Sequence, residues 1–164
     1  MKFKKLLLGV FVFATMLIAC SLYAGAQKYG DYEYRVESGD VIISRYTGKA
    51  VNLKVPSEIN GMPVCGFDIG VFYNCTTLKT VTLPDSIYYT NCFTFQDCTS
   101  LQKVTFGANV RSIGTKPFAN CVALKEINVP KSNECFSSQD GVLYNKNKTE
   151  LLCWPASNKA TNPQ

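Results

Sequence analysis

The sequence predicts a solenoid of short parallel β-strands, stacked in coils of about 23 residues, joined by irregular or short helical turns and closed by β-hairpins. Three observations predict it. Phe72, Phe95 and Phe118 are evenly spaced, and Cys75, Cys98 and Cys121, like Leu78, Leu101 and Leu124, keep the same step. The columns Val81, Val104 and Ile127, then Leu83, Phe106 and Val129, alternate with polar residues, as in a strand with one buried face. A polar column, Asn74, Asp97 and Asn120, runs in the same register. Six columns repeated over three copies make internal repetition the organising feature of the chain.

The N-terminus stands outside that pattern. Lys2, Lys4 and Lys5 precede an uncharged apolar run from Leu6 to Ala19. That run falls short of the roughly 20 residues that a membrane-spanning helix needs. A basic start, a short apolar stretch and small residues beyond it read as a secretory signal. Two cleavage sites are legible. Cutting after Ala24-Gly25-Ala26 makes residues 1–26 the signal and Gln27 the first mature residue. Leu17-Ile18-Ala19-Cys20 reads as a lipobox, with residues 1–19 the signal and Cys20 acylated, the one route by which the protein would meet a membrane. Removal of the signal takes away three of 17 basic residues and none of 12 acidic ones, leaving a net charge of +2. That charge gives no reason to expect nucleic-acid binding.

Residues 27–157 form the expected domain. Tyr32, Tyr34 and Val36 alternate, Gly39-Asp40 turns, and Val41 to Tyr46 resumes a strand, so residues 32–46 read as an N-terminal hairpin. Val55-Pro56 ends a first, longer coil: Val55 precedes Leu83 by more than the regular step, and the excess falls around Asn60-Gly61-Met62-Pro63. Each of the three following coils carries a leucine-rich-repeat core, L-x-x-L-x-L, as in Leu78-x-x-Val81-x-Leu83. Pro84 and Pro130 end their strands, since proline cannot donate to a ladder. Residues 141–154 read as a second hairpin across Asn145-Lys146-Asn147-Lys148. Residues 158–164 are expected to be a disordered tail.

A coil cannot stand alone. Burying its six or so apolar side chains gains roughly 1.5–3 kcal/mol each, against about 1–2 kcal/mol for every backbone residue fixed. Stacking makes the balance favourable, because each coil then buries both faces and pairs its strand with its neighbours. Asn74, Asp97 and Asn120 are expected to be buried and to hydrogen-bond the backbone of the next coil.

These residues resemble the BspA-like leucine-rich repeats of bacterial surface proteins and some protozoa. The resemblance rests on Val110, Ile113-Gly114, Phe118, Asn120-Cys121, Leu124 and Ile127-x-Val129-Pro130. It extends to the opening segment Tyr46-Thr47-Gly48 through Pro63-Val64 and to Asp140-Gly141-Val142-Leu143-Tyr144. The middle copy departs from it, with Thr90-Asn91 in place of Ile-Gly, which is expected to loosen that turn. The family often continues past Trp154-Pro155, so an incompletely covered C-terminal edge is expected where this chain stops. The resemblance implies an exported protein, secreted or on the cell surface, that binds host or matrix proteins.

No catalytic or cofactor chemistry is expected. The chain contains no histidine, which removes Ser-His-Asp and Cys-His nucleophiles, and no C-x-x-C pair starts a zinc site. Cys75, Cys98 and Cys121 read as a buried thiol column, and Cys65, Cys92, Cys135 and Cys153 as better disulfide candidates. Asn74 and Asn147 match the N-glycosylation pattern, with Asn74 expected to be buried. A protein partner is expected on the strand face, over Thr80 and Thr82, Lys103 and Thr105, and Glu126 and Asn128, with Lys79, Gln102 and Lys125 at its edge. Tyr88, Tyr89 and Phe93 are a second candidate patch. The alternative role is structural, by self-association through the C-terminal end.

Overall fold

The computed structural model describes residues 26–160. The signal segment up to residue 25, Cys20 within it, and residues 161–164 lie outside the described residues.

The N-terminal cap is built from β1 (Gln27–Tyr29), β2 (Tyr32–Glu37) and β3 (Asp40–Tyr46), followed, after β4 (Asn52–Lys54), by β5 (Glu58–Ile59) and β6 (Met62–Phe67). They form one sheet in the order β1-β2-β3-β6-β5. The expected 32–46 hairpin is its centre, with Tyr34, Val41 and Ile43 buried. The additional length of the first coil is the β5–β6 hairpin. Its turn, Asn60-Gly61, has both residues at positive φ (52° and 76°), as a tight two-residue hairpin requires.

The repeats supply β7 (Thr80–Thr82), β8 (Lys103–Thr105) and β9 (Glu126–Asn128). Together with β4 they make a parallel sheet in the order β4-β7-β8-β9. Its register follows the sequence columns: Leu53, Val81, Val104 and Ile127 stand side by side. Opposite the strands, Phe72, Phe95 and Phe118 stack with ring centroids 5.1 and 5.6 Å apart and planes within 8° of parallel.

No helix occurs among the described residues. The turn side of each coil is a chain of tight turns, in which Tyr73 N–H bonds to Gly70, Cys75 N–H to Phe72 and Leu78 N–H to Cys75. Helix propagation fails because Asn74, Asp97 and Asn120 take positive φ (57°, 61° and 58°). This corrects the polar column. Asn74 and Asn120 are exposed and Asp97 half-buried. Their common task is a left-handed backbone, which Asn and Asp adopt more readily than other side chains. Their main chain joins coils, Asn74 N–H to Gln96 O and Asp97 N–H to Ala119 O, each at 2.9 Å, and one side-chain bond adds to it, Asn120 Nδ2 donating to Asp97 Oδ1 at 2.6 Å.

The Thr90-Asn91 turn is well held. Thr90 is buried and its N–H bonds to Ser112 O at 3.0 Å, while Asn91 Oδ1 accepts the Cys92 N–H at 2.8 Å. Gly114 is required in the coil above it, since a Cβ there would lie 2.1 Å from Cys92 N.

At the C-terminus β10 (Phe136–Gln139), β11 (Val142–Asn145) and β12 (Leu151–Cys153) form an antiparallel sheet. The expected hairpin therefore gains a third strand. The C-terminal edge is covered: Ile127 N–H bonds to Gly141 O at 2.8 Å and Val129 N–H to Ser138 Oγ at 2.9 Å. Order also continues past residue 157. Ser157 N–H bonds to Leu124 O at 2.7 Å, and Asn158 Nδ2 donates to Lys125 O (2.7 Å) and Asp140 O (2.8 Å).

Candidate functional site: the outward face of the parallel sheet

Because side chains alternate along a strand, each of the four parallel strands offers two outward positions. In-register pairing turns these into two rows. One runs Asn52, Thr80, Lys103, Glu126 and the other Lys54, Thr82, Thr105, Asn128. Neighbouring strands lie about 4.8 Å apart, so each row is a straight file of side chains on a rigid backing.

The first row is internally paired. Thr80 Oγ1 donates to Asn52 Oδ1 at 2.8 Å, and Lys103 Nζ meets Glu126 Oε1 at 2.6 Å. Both members of that ion pair are about 40 % exposed, so it contributes no more than about 1 kcal/mol. In the second row Thr82 is exposed and Thr105 and Asn128 are half-buried. The edge row, Lys79, Gln102 and Lys125, is joined through its backbone: Gln102 N–H bonds to Lys79 O and Lys125 N–H to Gln102 O. Lys54, Lys79 and Lys125 are exposed and have no carboxylate partner among the described residues. They give the face a positive margin.

All nine predicted strand-face residues thus lie on one surface. Asn52 and Lys54 belong to it too. The long step from Val55 to Leu83 placed their coil but, with its irregular length, did not assign its outward positions.

The second candidate patch is only partly exposed. Tyr88 and Phe93 are exposed, 46 % and 36 %. Tyr89 instead packs its ring over Gly66, where a Cβ would lie 2.2 Å from the ring. Tyr88 N–H bonds to Cys65 O in the preceding coil and Phe93 N–H to Thr115 O in the following one.

The seven cysteines of the described residues are all free. The Cys98 thiol donates to Phe72 O and that of Cys121 to Phe95 O, each at 3.0 Å. Each buried thiol therefore ties its coil to the one before. Contact with the Cys75 thiol and then burial push Cys98 far up, and burial pushes Cys121 up to about 12. Cys65 and Cys153 are pushed up to about 11, in both cases chiefly by burial. Such thiols are weak nucleophiles at neutral pH. Among the described residues no cluster of three or more His, Cys, Asp or Glu side chains is arranged to hold a metal ion. No helix there is long and apolar enough to cross a membrane.

The fold has solved counterparts. A leucine-rich-repeat protein of T. pallidum is 31 % identical and superposes with a TM-score of 0.61 over 66 % of this chain and 52 % of its own. The chain thus spans about half the length of that relative. A leucine-rich-repeat protein from Bacteroides capillosus is 26 % identical, with a TM-score of 0.61 over 66 % of this chain and 85 % of its own. Another, from Bacteroides ovatus, shares the fold at 21 % identity and a TM-score of 0.58, over 66 % of this chain and 30 % of its own. No curated protein matches the chain. Residues 65–158 match the BspA type leucine-rich repeat region (6 copies). With that match spanning more than half of the sequence and the coils stacked as the columns require, the chain belongs to the BspA-type leucine-rich-repeat family.

Proposed function

We propose that the protein is exported and serves as a protein-binding module, with the outward face of the parallel sheet as its contact surface. One observation carries this reading: four strands hold two in-register rows of polar side chains, with Asn52, Lys54 and Thr82 exposed and the others half-buried, flanked by Lys79 and Lys125. A rigid, extended face lowers the ordering cost of binding. Its lysine margin favours a partner with an acidic surface, through faster encounter more than through affinity. The basic, then apolar N-terminal segment supports export, to the cell surface or the medium, where host or matrix proteins would be the partners.

The test is binding of the chain from Gln27 onward to a panel of extracellular-matrix and host-surface proteins. A Lys79→Ala/Lys103→Ala/Lys125→Ala variant is measured beside it. Saturable binding that the variant loses by about tenfold or more, and that weakens with salt, is expected. Absence of saturable binding across the panel, from a folded protein, overturns the adhesion reading.

A second reading, a structural role through self-association, has one observation in its favour at the opposite end from the covered C-terminus. β4 is an edge strand, paired on one side only with β7. Lys54 on that edge is the kind of charge that blocks strand-to-strand association, so the first reading is preferred. Growth of the particle with concentration would favour the second.

A further inference from the structure

At the seam between the N-terminal cap and the first repeat lies an open depression of about 690 Å³. Arg45, Thr47 and Lys49 line one side, and Tyr73, Thr76 and Thr77 the other; no lining residue is acidic. Neither Arg45 nor Lys49 has an ion-pair partner among the described residues. Glu33, opposite Arg45 in the β2–β3 register, faces Lys28 at 3.8 Å. Tyr73 is 57 % exposed, an unusual presentation for an aromatic ring beside a fully buried Phe72.

The wall that carries the cations is fixed in advance. Thr47 N–H and Oγ1–H both donate to Asp31 O, at 2.8 and 3.1 Å, and Ala50 N–H donates to Tyr46 Oη at 3.3 Å. Thr77 Oγ1 reaches Ala50 O at 3.5 Å, joining the two walls. Gly48 makes this packing attainable, because a Cβ there would lie 2.3 Å from Tyr46 Oη and 2.5 Å from Asp31 Oδ2. Asp31 is not among the lining residues, although its carboxylate lies against Gly48, which is.

The coil itself does not call for this set of residues. The positions one and two coils beyond Tyr73 are Gln96 and Ala119, and Arg45 and Lys49 precede the repeats altogether. Two unpaired cations, three threonine hydroxyls and one exposed ring are complementary to a ligand with fixed negative charge, many hydroxyls and a flat apolar face. We propose that this depression is a binding site for an acidic saccharide, separate from the strand face. Arg45 and Lys49 take the carboxylate or sulfate, the Thr76 hydroxyl and the accepting lone pairs of Thr47 and Thr77 Oγ1 meet sugar hydroxyls, and the Tyr73 ring stacks on a pyranose face.

The test is titration of the purified protein by calorimetry with three oligosaccharides of equal length: a galacturonate, a sulfated galactan and the neutral galactan. At least one acidic ligand should bind at least about tenfold more tightly than the neutral one, the worth of a charge-assisted contact. Which of the two binds identifies the anion. Arg45→Gln/Lys49→Gln should reduce that preference to nothing, and Tyr73→Ala should weaken acidic and neutral ligands alike. Lys79→Ala, on the strand face, should change neither. Equal binding of charged and neutral sugars, no saturable binding by the folded protein, or loss of binding through Lys79→Ala would each overturn the proposal. So would a phosphotyrosine peptide that binds there while all three saccharides do not.

Discussion

Asn133 occupies the position that Ile87 and Val110 fill in the two preceding coils, and it is fully buried. Its Nδ2 donates to Gly107 O at 3.3 Å and Val110 O at 2.9 Å, and its Oδ1 accepts from Cys135 and Phe136 N–H at 2.9 and 2.7 Å. Every polar atom of the amide is thereby used, and one residue fastens the last coil to the C-terminal cap. Asn133→Ala leaves those groups without partners in a dry site. It should cost about 3 kcal/mol and lower Tm by roughly 10 °C. Thermal unfolding followed by circular dichroism measures it. Gly107 is constrained differently: a Cβ would fall 2.1 Å from Pro84 O, a backbone atom with no room to yield. Gly107→Ala should cost about 2 kcal/mol or more through forced displacement of that strand end, read as a lowered urea midpoint with unchanged m-value. Neither role was legible in the sequence. An Asn in an apolar column looks like the end of the repeat, and two of its partners are carbonyls of the preceding coil.

The stacked phenylalanines and the thiol ladder act as elements. Phe95 has a ring on each side, whereas Phe118 has one and is half-buried. Phe95→Ala should therefore cost about 4 kcal/mol and Phe118→Ala distinctly less, as equilibrium denaturation would measure. The buried thiols predict a pH effect of definite sign. Cys121 and Cys153 are raised from 9.0 to about 12 and about 11, so the unfolded chain gives up their protons before the folded one does. Their contribution is complete below about pH 8 and is lost as pH rises from 9 toward 12. Denaturation midpoints measured between pH 7 and 11 should fall on the alkaline side, and less so in Cys121→Ser, whose hydroxyl can still donate to Phe95 O. The repeat strands β7, β8 and β9 and their register were legible, because a strict period admits one stacking. The turn side was not. Its apolar spacing fits a helical turn as well as a string of tight turns, and only the left-handed backbone at Asn74, Asp97 and Asn120 decides between them.

At the scale of the whole molecule, the caps were the hardest part to read. Their strands lie outside the repeat, and β1 and β10 carry no alternation strong enough to distinguish them from loops. The strand face was legible as a surface because position along a strand determines the direction of a side chain. The depression at the seam was not, since its two walls, residues 45–49 and 73–77, belong to different units and are brought together only by folding. Nothing in the sequence columns pointed to Tyr73 as an exposed ring.

Each coil bonds to the next on both its strand side and its turn side, and those bonds run along the stack. Under load this has a mechanical meaning. Tension applied between the two ends is borne by every coil interface in series, and among the described residues no hydrogen bond skips a coil to bypass an interface. Once a cap yields, the repeats should detach one at a time, each releasing a single coil, roughly 80 Å of extended chain. Single-molecule extension should record a ladder of equal steps; one undivided release would mean that the coils unfold as a single body. A stack built this way would lengthen by increments before it came apart.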